Sequence, residues 1–509
     1  MRAPEQEAAL SGVPFDEFEQ QRRENVKPPS WVNPKPADRY NLVVIGAGPA
    51  GLVAARGAAG LGARVALIER DLIGGDCLNV GCVPSKALIR TSRVYAEMRE
   101  ADHYGARAPD LVDVDFEKAM AHMRRLRARI SRSDSIQALT MEGVDVFLGA
   151  ARFTSPDTVK VDGATLRFRK AMIATGARPD TAKIPGLEEA GYLTNENVFN
   201  LTRLPGSMLV IGGGPLGCEL TQAFSRFGCD TTIVQDLPLF LPKEERDAAQ
   251  LLSDAFARDG IEVRLNTKAV AVRIEDGKTV VDLVSDDYRS SVAVDAILTG
   301  VGRLPNIEGL RLDVAGVEGD SKTGIKVDDF LRTSNRDIYA AGDVCLEHKF
   351  THTAEASARI VVRNALFPGR QRVSVLTIPW CTYTDPEIAH VGLYVREANR
   401  SDIPVRTFTV PMHEVDRAIL DGEQTGFVKI HVAQRSDLIL GATIVARHAG
   451  EMINEITLAM VAGIGLGTLA KVIHAYPTQA EGIRRAANAY QRTRLTPFIS
   501  SIMRRWLRR

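Results

Sequence analysis

The sequence has no uninterrupted apolar run of the ~18 residues that a membrane span needs, so an integral membrane chain is not expected. Its first twenty residues, MRAPEQEAALSGVPFDEFEQ, carry acids where a secretory leader needs a basic flank and an apolar stretch. Charge of one sign is also missing. Lys and Arg number 64 against 63 Asp and Glu, and a net charge of +1 gives no whole-protein field to draw nucleic acid. Cysteine is scarce: six in 509 residues do not make a secreted disulfide scaffold. No second CxxC or histidine-rich partner completes a tetrahedral zinc set. What is present, 45% hydrophobic and 25% charged, is ordinary globular composition. At ~150 residues per domain the length suits about three domains, and a soluble, cytoplasmic protein is expected.

Residues 1–39 are polar and hold Pro28, Pro29, Pro34 and Pro36. They read as an arm draped over the surface, with a short helix near 14–25. Residues 41–45 (NLVVI) then lead into a glycine turn, an Ala-rich segment at 50–61 and a second apolar run, 64–68, closing on Glu69. That order is strand, phosphate loop, helix, strand. It recurs at 208–235, so two nucleotide-binding βαβ units are expected. Long helices are expected at 84–103 and 115–142. The arginines at 124–132 of the second read as a solvated face, because no aromatics interleave as a nucleic-acid surface would require. Beyond about 372, short β-type runs alternate with turns, and helices are expected at 450–463 and 480–492, an α+β region.

In Gly46-Ala-Gly48-Pro-Ala-Gly51 the first glycine permits the tight turn, the second lets a pyrophosphate approach and the third lets helix and strand pack closely. Glu69 follows at the end of the next strand, where a carboxylate can accept from ribose hydroxyls. Gly212-Gly-Gly214-Pro-Leu-Gly217 repeats the pattern, but Gln235-Asp236 ends its second strand. An acid at Gln235 would favour NADH and nearby arginines NADPH. Neither is present, and Asp236 would repel an extra phosphate, so the lean is to NADH with NADPH open.

The most informative stretch is Gly74-Gly-Asp-Cys77-Leu-Asn-Val-Gly-Cys82-Val-Pro-Ser-Lys86. Two cysteines five positions apart at the start of a helix can close a small, reducible disulfide ring. A helix N-terminus and the cation one turn on make Cys82 a plausible thiolate. Asp76, beside Cys77, is expected to disfavour a thiolate there. This stretch resembles the GGxCxNxGCxPSK sequence of the flavin-dependent pyridine nucleotide–disulfide oxidoreductases, the family of glutathione reductase, dihydrolipoamide dehydrogenase and mercuric reductase. ATGARP (174–179), GGGPLGCE (212–219), GVGRLPN (300–306), AAGDV (340–344), YTDPEIAHVG (383–392) and AGE (449–451) follow in the family's order.

The resemblance implies an α/β fold: two Rossmann-like (three-layer ββα) nucleotide-binding domains plus a C-terminal α+β dimerisation domain. Its implied parts are an extension at 1–39, an FAD domain at 40–185 and 306–370, an NAD(P)H domain at 186–305, a dimerisation domain at 371–490 and a basic tail at 491–509. FAD would lie on Gly46, Gly48, Gly51, Glu69, Lys86, Gly149, Thr175, Gly176, Asp343 and His352. NAD(P)H would lie on Gly212, Gly214, Gly217, Gln235 and Gly302. Cys82 would be the flavin-side thiolate, Cys77 the thiol that meets substrate, and Lys86 would pair with Glu219. A homodimer would bring residues near 476–481 to the partner's cysteines.

One departure sets the acceptor. The disulfide reductases read His-Pro-Thr-x-x-Glu where this chain reads Tyr476-Pro-Thr-Gln-Ala-Glu481; His474 is two residues too early. A phenol with pKa ~10 shuttles protons poorly at neutral pH, whereas an imidazole near ~6.5 does so well. Tyrosine at this place resembles mercuric reductase, and a soft cation needs thiolates rather than a proton shuttle. Mercuric reductases carry a further cysteine pair near the C-terminus, yet the cysteines here are 77, 82, 218, 229, 345 and 381. A small-molecule or metal-ion acceptor at Cys77 and Cys82 is therefore expected, with Hg(II) first and a disulfide or persulfide second. The tail, with Arg492, Arg494, Arg504, Arg505, Arg508 and Arg509 among apolar residues, admits a third class: an electron-transfer flavoprotein serving a quinone or protein at a membrane.

Overall fold

The computed structural model describes residues 14–508 except Ala108, Asp110, Leu111 and Asp287; the part of the expected arm before residue 14 lies outside them. Two compact units result. One runs to Asp236 and resumes over Asn266–Leu376; the other joins Leu237–Leu265 to the chain from Thr377 onward.

The first unit opens with α1 (Glu17–Val26), capped by Asp16, whose side chain accepts from Glu19 N–H. Strand β1 (Tyr40–Ile45), α2 (Pro49–Gly60) and β2 (Val65–Glu69) form the first nucleotide unit. Next come α3 (Gly75–Val80), α4 (Cys82–Arg99), α5 (Phe116–Ser131), β3 (Val144–Leu148) and β4 (Ala164–Ile173). The parallel order is β3-β2-β1-β4, and Ile338–Ala340 also pairs parallel with β4. A continuous apolar β1 follows from burial on both faces. Leu42 and Val44 face α2, while Val43 and Ile45 join Phe147, Phe153 and Phe168 on the other side.

The second nucleotide unit is β5 (Ser207–Ile211), α6 (Pro215–Arg226), β6 (Asp230–Val234) and β7 (Ala296–Thr299), with β5 between its parallel neighbours. Ala177–Pro179 pairs antiparallel with Arg303–Pro305, which sets Arg303 opposite Pro179. Helix α7 (Thr351–Leu366) packs on the first sheet. In the second unit a five-stranded antiparallel sheet is covered by Ala449–Val461 and α8 (Glu481–Thr493); α9 (Pro497–Leu507) follows.

Three expectations are corrected. The helix expected over 115–142 is two, α5 and Ile136–Met141. Between them the Ser131 and Ser133 hydroxyls bond back to Ala128 and Ile130 carbonyls, and Ser135 caps a new start at Ala138 N–H. The arm is not draped over the surface: Val26 is buried, and the Asn33 amide both donates to and accepts from the Leu148 backbone. Nor is the arginine face wholly solvated: Arg125, Arg129 and Arg132 are exposed, but the other two are not. Arg124 and Arg127 are buried because the arm supplies their counter-charges, Asp16 at 2.5 Å and Glu19 at 3.1 Å. Glu19 also holds Arg22 at 2.5 Å and Arg23 at 2.8 Å.

Burial works to raise the Glu19 pKa, but hydrogen bonds and charge from Arg22, Arg23 and Arg127 win and hold it below the usual carboxylate value. A depressed folded pKa adds stability that is present at neutral pH and lost as pH falls through it. Glu19→Ala strands Arg22 and Arg127 without their shared carboxylate, and should cost about 3–5 kcal/mol at pH 7. The deficit should shrink toward pH 3 in thermal scans; a deficit independent of pH would contradict this account.

Candidate active site

The two cysteines are placed by glycine geometry. Gly74 donates its N–H to Ala47 O at 2.8 Å, and a Cβ on Gly75 would fall 2.7 Å from Gly48 Cα. The cysteine segment thus lies directly against the first phosphate loop. Cys77 sits in the one-and-a-half-turn α3, and Cys82 is the first residue of α4, where unpaired backbone N–H groups gather positive potential.

The cysteines divide into acid and base. The Cys82 thiol is held down to about 6, first by the hydrogen bond donated from Cys77, with help from Thr351 and the Lys86 charge, against burial and Glu219. Cys77 is pushed far up by that same hydrogen bond, then by burial and the Cys82 charge. Thr351 Oγ1 lies 3.2 Å from Cys82 Sγ, and Lys86 Nζ donates to Glu219 Oε2 at 2.7 Å. At neutral pH this is one thiolate and one thiol. The expected influence of Asp76 is corrected: its carboxylate is paired with Arg303, which also donates to Ala177 O at 2.7 Å and leaves Nε 3.8 Å from Asp343. What disfavours a Cys77 thiolate is first its neighbour sulfur and then burial.

Both phosphate loops have room for a pyrophosphate. A Cβ on Gly51 would fall 1.8 Å from Gly46 O, and one on Gly217 2.3 Å from Gly212 O, so helix and strand meet as closely as glycine allows. Gly48 and Gly214 instead face open space, with nothing nearer than 3.8 Å at Gly48 and nothing within 4 Å at Gly214. Neither α2 nor α6 has a side-chain cap on its first N–H groups, so both can receive an anion. Glu69 accepts from Ala47 N–H at 2.7 Å and Asp71 N–H at 2.9 Å, and burial raises its pKa. Its remaining lone pairs can serve a ribose.

Gly149 is tied to Glu69 O at 2.8 Å. Thr175 and Gly176 are tied to Asn306, which receives the Thr175 hydroxyl at 2.6 Å and donates to Gly176 O at 2.9 Å. Asp343, its pKa raised by burial, and His352, stacked on Phe350, belong to the same unit. Gln235 is buried with its Oε1 beneath Gly213, Gly302 accepts from Asp180 N–H at 2.9 Å, and Asp236 is exposed.

Tyr476 and Glu481 lie in the second unit and do not pair with each other. The exposed Tyr476 hydroxyl donates to Asp416 Oδ2 at 2.9 Å, which raises its pKa. Glu481 is buried and accepts from Arg484 at 2.6 Å and Arg485 at 3.4 Å. His474 is engaged by Glu455 at 3.1 Å. Sequence reasoning missed Thr351, Arg303 and Asp416 as partners. Arg303 stood in the GVGRLPN block, whereas Thr351 lies 269 residues from Cys82 and carried no local cue.

Residues 40–358 match the model of the pyridine nucleotide-disulphide oxidoreductases, and 378–487 match that family's dimerisation domain. The chain belongs to this family. Mercuric reductase of Lysinibacillus sphaericus is 32% identical over 89% of this chain and 83% of its own length. Dihydrolipoyl dehydrogenase of Thermus scotoductus is 34% identical over 88% and 97%. Among solved structures, the HOCl-induced flavoprotein disulfide reductase RclA of Escherichia coli superposes with a TM-score of 0.80 at 28% identity, covering 88% of this chain and 99% of RclA. RclA is also solved as its Cu(II) complex. This oxidoreductase therefore uses FAD with NAD(P)H as electron donor, and the two loops above fit that pair of dinucleotides.

In the reduced oxidoreductase, thiolate absorbance measured against Cys82→Ser should titrate near pH 6, and Lys86→Met should move the inflection upward. An inflection that stays put in Lys86→Met would remove the lysine from the account.

Proposed function

We propose that this FAD-dependent oxidoreductase passes electrons from NAD(P)H through a Cys77–Cys82 disulfide to a soft, thiophilic acceptor, Hg(II) in the first place. The observation that carries the reading is the Tyr476 phenol: Asp416 holds its proton, in a chain whose Cys82 is a ready thiolate. Thiol–disulfide exchange needs a group that gives and takes protons near neutrality, and this phenol does not. A soft cation needs two sulfurs and no shuttle.

FAD would rest on Gly46, Gly48, Gly51, Glu69, Gly149, Thr175, Gly176, Asp343 and His352. The nicotinamide cofactor would rest on Gly212, Gly214, Gly217, Gln235 and Gly302. NADH is the favoured donor, since a neutral amide ends the second strand and no arginine follows it through Leu241. Bound FAD supplies the relay between nicotinamide and sulfur. In the first half-reaction NAD(P)H becomes NAD(P)+, and its two electrons and one proton break the S–S bond to leave a Cys77 thiol and a Cys82 thiolate. Lys86, held by Glu219, stabilises that thiolate. Hg(II) then displaces the Cys77 proton and binds both sulfurs. A second NAD(P)H reduces it to Hg(0), so each ion consumes two electrons and releases one proton. The enzyme would act as a cytoplasmic homodimer in which Tyr476 and Glu481 of the partner subunit border the acceptor.

Mercury-dependent NADH oxidation in excess small thiol should be abolished by Cys77→Ser or Cys82→Ser and reduced several-fold by Tyr476→Phe. Normal Hg(II) turnover by both serine variants would sink the proposal. Lipoamide or glutathione-disulfide turnover by wild type equal to that with mercury would favour a disulfide reductase instead.

A second reading, membrane-surface docking in the service of a quinone, is favoured by α9. Its Phe498, Ile502 and Trp506 are all exposed on one side, Arg504 lies on the opposite side, and Arg505 and Arg508 flank the helix end. Eight arginines and no acid follow Glu481. An anionic bilayer suits both faces. Wild type should co-sediment with phosphatidylglycerol vesicles and not with phosphatidylcholine vesicles, and deletion of residues 497–509 should abolish binding. Equal sedimentation of the deletion variant would dismiss the membrane.

A further inference from the structure

The family's matched residues begin at 40, yet the cysteine segment is held from before that point. Asn79 lies between Cys77 and Cys82, and its side-chain amide and backbone carbonyl are both committed. Its Nδ2 donates to Ile73 O at 3.1 Å and to Gly75 O at 2.9 Å. Its Oδ1 accepts from Arg22 Nη1 at 2.5 Å, and its backbone carbonyl accepts from Arg127 Nη1 at 2.8 Å. Arg22 and Arg127 share the Glu19 carboxylate, at 2.5–2.9 Å and 3.1 Å. Ile73 N–H also reaches Val26 O at 3.4 Å. Glu19, Arg22, Asn79 and Arg127 are all at most 5% exposed.

We propose that α1 is a positioning element for the redox pair, and that Arg22, acting through Asn79, is the positioning residue that keeps Cys77 within reach of Cys82. The inference rests on the reading of Cys77 and Cys82 as a redox couple. A helix of six residues such as α3 is too short to hold itself. Its orientation has to come from outside, and buried charge-assisted hydrogen bonds are the stiffest device available. Forming the disulfide removes two electrons from the sulfur pair and one proton from Cys77, and glutathione disulfide takes up both as its S–S bond breaks. Its equilibrium depends on how often Cys77 Sγ is aimed at Cys82 Sγ, that is, on effective concentration. The clamp raises that frequency and so favours the disulfide. It also preserves the hydrogen bond by which Cys77 keeps Cys82 ionised.

The test is the thiol–disulfide equilibrium of the full-length holoenzyme in glutathione buffers, read by mass spectrometry after acid quench and alkylation. Arg22→Met leaves Glu19 paired with Arg23 and Arg127, and should lower the disulfide equilibrium constant about tenfold, ~30 mV in potential. It should also raise the pH at which the Cys82 thiolate titrates. Arg22→Lys, which keeps the charge and loses the fork, should shift both in the same direction by less, and serves if the methionine variant does not fold. Asp16→Ala loosens the start of the same helix without touching Asn79, and should leave both values at wild type. Unchanged equilibria in Arg22→Met and Arg22→Lys overturn the clamp. So does an equal shift in Asp16→Ala, which would mean that any loosening of the arm suffices. A wild-type chain that forms no Cys77–Cys82 disulfide would instead overturn the redox reading on which the clamp stands.

Discussion

A thiolate set in a half-enclosed site has to be stabilised by something fixed, and the hydrogen bond from Cys77 to Cys82 is where that requirement is met. The bond works only if one sulfur keeps its proton and the other does not, so everything around the pair differentiates two chemically identical residues. The first turn of α4 and Lys86 lie on the Cys82 side, while the Thr351 hydroxyl serves both sulfurs. Burial and the neighbouring negative sulfur act on Cys77. Glu219 works against the thiolate electrostatically, yet it fixes the lysine that favours it.

The second constraint is mechanical. Gly74 and Gly75 press the cysteine segment against the first phosphate loop, so dinucleotide and sulfur chemistry share one piece of backbone. Asp76 is turned outward to Arg303, which leans in turn toward Asp343. The arm takes hold of the other end at Asn79. Six residues of helix are thus held by the phosphate loop, by an arginine from the GVGRLPN block and by an arginine from the N-terminal arm. Burying Arg22, Arg124 and Arg127 is tolerable only because Asp16 and Glu19 arrive with the same arm.

In the second unit the Tyr-Pro-Thr-x-x-Glu block is wired differently from a histidine–carboxylate pair. The phenol bonds to Asp416, and Glu481 is occupied by Arg484 and Arg485. Neither side chain of this pair is an imidazole, and on the proposed reading the chemical burden falls on the two sulfurs. A relative named for mercury and another named for dihydrolipoyl substrates stand at nearly equal identity to this chain, so likeness alone does not choose between acceptors, and the side chain at 476 carries the argument.

Local spacing alone was enough to read two βαβ units from glycines and apolar runs, the cysteine pair five positions apart, and a tyrosine where a histidine would serve disulfides. These were legible because turn geometry, helix starts and strand burial depend on neighbours a few residues away. The partners of these groups came from the folded chain. Arg124 and Arg127 of α5 looked as solvated as their exposed neighbours because nothing near them in sequence could neutralise them, and the acids that do so lie more than a hundred positions earlier. Asp76 seemed to threaten Cys77 because adjacency in sequence was mistaken for adjacency of charge, while Arg303, 227 residues on, had already claimed it. Electrostatic energy depends on distance in space and on burial, and neither is encoded locally.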